Sequence, residues 1–83
     1  MQKACVWETK SGVWVQISNN AHEALRAFEA GRGGRVSQVF TAPLTQPLER
    51  WLLRETKQRA SAGGYIDAAF DEFVESLTQH IVE

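Results

Sequence analysis

The chain has 83 residues, nine Lys plus Arg against ten Asp plus Glu, a formal charge of −1, and 43% hydrophobic residues. This is the make-up of one small globular domain spanning 1–83. It excludes a disordered tail, a collagen-like segment, a general polycation and a large enzyme with separate cofactor and substrate domains.

Residues 3–9, Lys-Ala-Cys-Val-Trp-Glu-Thr, read as a strand. Lys10-Ser11-Gly12 reads as a turn, with Gly supplying positive φ. In Val13-Trp14-Val15-Gln16-Ile17-Ser18 the valines and Ile17 alternate with Trp14, Gln16 and Ser18, the period of a half-buried strand. The two runs predict a β-hairpin. Asn20 followed by Glu23 predicts a helix cap, and Ala21, Ala24, Leu25 and Phe28 share one face of a helix over about 21–30. Gly31 is the expected left-handed residue just past its C-terminus.

Arg32-Gly33-Gly34-Arg35 predicts a flexible connection. It lacks the Gly-Lys-Ser/Thr ending of a P-loop and follows a helix rather than a strand. Residues 36–41 read as a third strand that Pro43 ends. Thr45 or Gln46 caps a second helix with Pro47 in its first turn, an apolar face of Leu48, Trp51 and Leu52, and an end at Gly63-Gly64. The last helix is predicted over about 66–82, with Ile66, Phe70, Phe73, Val74, Leu77 and Ile81 on one stripe. The fold class is therefore α+β in the order β-β-α-β-α-α. A three-stranded antiparallel sheet carries helices on one face, and Phe28, Leu48, Trp51, Leu52, Phe70, Phe73 and Leu77 lie in the core.

Catalytic chemistry finds little to use. His22 and His80 read as surface or boundary histidines. Cys5, the sole cysteine, reads as a small hydrophobe in a strand and excludes an intramolecular disulfide. Metal-ligand spacing is lacking, and so is any sign of a cofactor. The expectation is a non-enzymatic protein. The first residues have no signal-peptide core, and no run reaches the ~20 apolar residues of a membrane helix, so the expected location is cytoplasmic.

Charge is segregated along the chain. Residues 60–83 hold five acids and no Lys or Arg, whereas residues 22–59 hold seven Lys or Arg and four acids. The second helix lines up Arg50, Arg54 and Lys57, with Leu53 projecting towards them, and Arg32 and Arg35 add to this basic set. The third helix carries Asp67, Asp71, Glu72 and Glu75. Either set can bind a partner. The acidic one suits a basic nucleic-acid-binding groove, the basic one nucleic acid or an acidic protein.

Two readings of function follow. Strand 35–41, Pro43-Leu44, a helix, Gly63-Gly64 and a last amphipathic helix resemble a ribbon-helix-helix DNA-binding unit. In that family two strands pair across a homodimer. The resemblance implies base reading by Arg35, Ser37 and Val39, phosphate near Gly63 and Gly64, and a role as DNA-binding regulator or antitoxin. The competing reading is a small protein that binds and inhibits, or bridges, a macromolecular partner, such as a nucleic-acid-binding complex whose nucleic acid the acidic face mimics. Size and architecture, without any matching motif, are those common among phage and mobile-element inhibitors, including anti-CRISPR proteins. This second reading is preferred, because Val39 is a poor base reader, the last helix is acidic and residues 1–34 have no counterpart in the ribbon-helix-helix unit. Of the two charged sets the acidic one is preferred, because the overall charge disfavours general phosphate binding.

Overall fold

The computed structural model describes residues 2–56 and 63–81. Strands β1 (Lys3–Thr9) and β2 (Gly12–Ser18) form the expected hairpin, in the register Val6 opposite Val15 and Trp7 opposite Trp14. The turn works as read. Gly12 has φ +134, and the Thr9 hydroxyl donates to the Gly12 carbonyl at 2.9 Å while accepting from the Ser11 N–H at 3.1 Å.

Helix α1 (Ala21–Phe28) starts where the cap predicts, with the Glu23 N–H donating to Asn20 Oδ1 at 3.1 Å. It runs into a π turn over Glu29–Gly33, so Gly31 is not the expected left-handed residue; the chain continues to wind and the positive φ falls at Gly34, +67. Strand β3 is Gln38–Pro43, two residues later than expected, and it pairs antiparallel with β1. Helix α2 (Gln46–Thr56) follows Thr45, whose hydroxyl accepts from the Leu48 N–H at 3.4 Å.

Three expectations need correction. The sheet has four strands, not three, because Gly64–Ile66 forms β4 against β2 and gives the order β3-β1-β2-β4. The element order is thus β-β-α-β-α-β-α. Helix α3 is Phe70–Thr78, so Ile66 belongs to a strand. Ile66 still packs on the core that holds Phe70, Phe73 and Leu77, but from the sheet side. Gly63-Gly64, expected to end α2, instead lead into β4, with Gly64 its first residue. Helix α2 is described to Thr56, and residues 57–62 lie outside the described residues.

The helices also cover both faces of the sheet. Ala4, Val6, Val13, Val15 and Ile17 pack under α2 and α3 with Leu48, Trp51, Leu52, Phe70, Phe73 and Leu77. Cys5, Trp7 and Trp14 pack under α1 with Ala24 and Phe28. The reason lies in β1. Ala4-Cys5-Val6-Trp7 is a continuous apolar run, wholly buried, and successive side chains in a strand point to opposite faces. A strand apolar on both sides needs cover on both sides. All seven residues expected in the core are buried, but Phe28 lies in the α1 core and the other six in the α2/α3 core.

Candidate functional site

Three carboxylates, those of Glu55, Asp67 and Glu72, come together beside α2, β4 and the start of α3. A groove of about 510 Å³ opens there, lined by Trp51, Glu55, Tyr65, Ile66, Asp67, Ala68, Glu72, Phe73 and Ser76. Its floor is apolar. Trp51 and Phe73 are buried, with ring centroids 5.2 Å apart, and Ile66 is half-buried. Its rim is acidic, since Glu55, Asp67 and Glu72 are all exposed. Among the described residues that line it there is no Lys or Arg.

Each rim carboxylate has a different local cause. Glu72 lies in the first turn of α3, where the helix dipole favours an acid. Ser76, one turn on, shares its flank and also lines the groove. Asp67 was expected at that helix N-terminus. It sits instead between β4 and α3, and Ala69 caps the helix with its backbone, its carbonyl accepting from the Phe73 N–H at 2.9 Å. Glu55 belongs to α2 and was not singled out in the sequence. On its own helix it looks like one acid beside Arg54, and only the tertiary fold brings it to Asp67 and Glu72.

Asp71 and Glu75 are exposed, one turn apart on another flank of α3, and do not line the groove. The acidic set is therefore split into a groove pair and an outer pair, both on the α3 side.

The basic set is more dispersed. Arg50 and Arg54 are exposed on α2, with Leu53 between them 42% exposed. Arg35 is exposed beside Val36, which packs on the α1 core. Helix α2 packs on the other face of the sheet, so Arg35 does not extend the α2 pair. Arg32 lies in the π turn and its side chain is outside the described ones, as is the whole of Lys57.

The segment that resembles ribbon-helix-helix proteins is built differently. Strand β3 pairs with β1 of its own chain, and β4 stands between the two helices. Ser37 and Val39 are exposed at the sheet edge. A Cβ at Gly63 would meet the Trp14 ring, and Gly64 is buried as the first residue of β4.

Residues with reactive potential sit apart. Cys5 is fully buried, its thiol donating to the Lys3 carbonyl at 3.8 Å. Burial pushes this thiol above its ordinary value of 9.0, against smaller opposing effects of Lys3 and a backbone bond from Ser18. His22 is exposed on α1. His80 follows α3 and stacks on Trp51 at 4.8 Å, with 24° between planes. Among the described residues, no three His, Cys, Asp or Glu side chains are placed to hold a metal ion, and no helix is long and apolar enough to cross a membrane. No protein-family model matches the chain, and neither a curated protein nor a solved structure matches it.

Proposed function

We propose that the protein acts by binding, without catalysis, and that it engages a basic region of a macromolecular partner through the side built by β4 and α3. It would inhibit that partner or bridge it to another. The observation that carries this reading is the exposure of Asp67 and Glu72 at the groove and of Asp71 and Glu75 on another flank of α3. Helix α3 has no basic residue in its last turn to offset them. Asp71 and Glu75 repel by a few tenths of a kcal/mol at this spacing. Such a field attracts a cationic surface and speeds its association. Its natural competitor is nucleic acid, so a nucleic-acid-binding protein is the favoured partner class.

The alternative is contact through α2, where Arg50, Arg54 and Leu53 are exposed together. Nucleic acid or an acidic protein would suit that surface. Two charge reversals separate the readings. The tagged protein, D71K/E75K and R50E/R54E are each used for capture from the host, with the bound protein and nucleic acid quantified. The acidic reading expects a stoichiometric protein partner that survives R50E/R54E, weakens with D71K/E75K and dissociates with added salt. Retention by D71K/E75K together with loss by R50E/R54E overturns it in favour of the α2 surface.

A further inference from the structure

We infer that the groove between α2, β4 and α3 receives an arginine side chain from the partner. This rests on the acidic-side reading above and adds what that side recognises. Three carboxylates, from Glu55, Asp67 and Glu72, rim an apolar floor of Trp51, Ile66 and Phe73. They come from a helix, a connecting segment and a second helix, so the fold gathers them and helix periodicity does not.

The chemistry narrows the occupant. The rim carboxylates, with every other described acid, histidine and cysteine, make no cluster tight enough for a metal ion. Carboxylates spread around the rim of a groove suit a broad cation with several donors. A guanidinium presents five N–H donors in a planar fork and bonds carboxylates bidentately. Its three-carbon stem is apolar and lies well along an apolar surface. The stem would rest over Ile66, Ala68 and Phe73, with the planar head among the three carboxylates. Lysine offers one hydrated point charge and can satisfy fewer of them at once. The groove is large enough to take the arginine with part of its flanking backbone.

The test uses short capped peptides at low ionic strength, one containing arginine, one citrulline in its place and one lysine. Binding to the full chain is followed residue by residue by NMR. The arginine peptide is expected to shift the amides of Glu55, Ile66, Asp67, Ala68 and Glu72, the lysine peptide to shift them less, and the neutral citrulline peptide to leave them unmoved. E55Q and E72Q should each weaken the arginine peptide by roughly two- to fivefold, the worth of an exposed ion pair, while D71N/E75N changes it little. Equal binding of citrulline, or shifts confined to Asp71 and Glu75, overturns the inference. If D71K/E75K abolishes partner capture while E55Q/E72Q does not, the groove is wrong and the acidic-side reading stands. Loss with E55Q/E72Q and retention with R50E/R54E supports both.

Discussion

The two faces of the sheet bury apolar surface by different means. Under α2 and α3 the core is built from aliphatic side chains of β1 and β2 and from residues of both helices, with Trp51 and Phe73 at its edge towards the groove. Under α1 the core is small and made mostly of rings. Phe28 lies 5.4 Å from Trp7, 5.0 Å from Trp14 and 6.4 Å from Tyr65. A short helix with few large residues can cover one face only if the sheet supplies the bulk, and Trp7 and Trp14 do so. The aliphatic side has many partners to share a loss, whereas the ring side hangs on Phe28.

Truncation on either side should have the largest effects. Phe73→Ala and Phe28→Ala are each expected to cost about 3–5 kcal/mol. Urea unfolding gives the values. A cost below about 1 kcal/mol at Phe28 would mean that α1 is not part of the cooperative fold.

Gly63 sharpens the comparison, because it links the faces. Its φ is +79, and a Cβ there would run into the Trp14 ring, with Cε2 at 2.9 Å. Gly63→Ala should cost roughly 2–4 kcal/mol from backbone strain and overpacking together. Gly34→Ala is the control, with φ +67 and ψ −134 but open space around it, and should cost about 1–3 kcal/mol from backbone strain alone. Equal thermal shifts for the two would remove the ring contact from the account.

The two indoles of the ring side differ as well. Trp14 Nε1 donates to Gln16 Oε1 at 3.0 Å, whereas the buried Trp7 Nε1 has no hydrogen-bond partner among the described residues. A buried unpaired donor is costly to keep. Trp7→Phe should therefore destabilise less than Trp14→Phe, by about 1 kcal/mol. Denaturant midpoints in the reverse order would show that ring volume, not the N–H, decides.

Cys5 gives the smallest effect. Its thiol is held neutral by burial. A group raised on folding stabilises fully below its unfolded value and less as pH rises through the folded one. Stability should thus decline above pH 9.0, and Cys5→Ala should flatten that limb of the pH profile. Disulfide-exchange reagents should label the native thiol slowly.

How much of this was legible depended on whether the signal was local. The hairpin, the Asn20 cap and Pro43 were, because turn and cap chemistry act within a few residues. Strand β4 was not. Three residues are too few for a period, and Ile66 falls in phase with the α3 stripe by coincidence. The two-sided sheet was written in Ala4-Cys5-Val6-Trp7 but obscured by the alternation of β2. The acids of α3 were readable one by one, while Glu55 was not, since its neighbours in the groove come from other elements.

The position of β1 between β2 and β3 has a kinetic consequence. Cys5 meets Gln16 across a tight turn, but it meets Thr41 only after the chain has passed along α1. The hairpin is a local event of the microsecond range, whereas the second edge of β1 must wait for a long loop to close. Until then Trp7 and Val6 sit on a strand with one bare edge, at which another unfolded chain can pair. Folding yield should accordingly fall as protein concentration rises during refolding. Pulse-labelled amide exchange should protect β2 before β3, and simultaneous protection would mean that α1 and β3 dock with the hairpin in a single step.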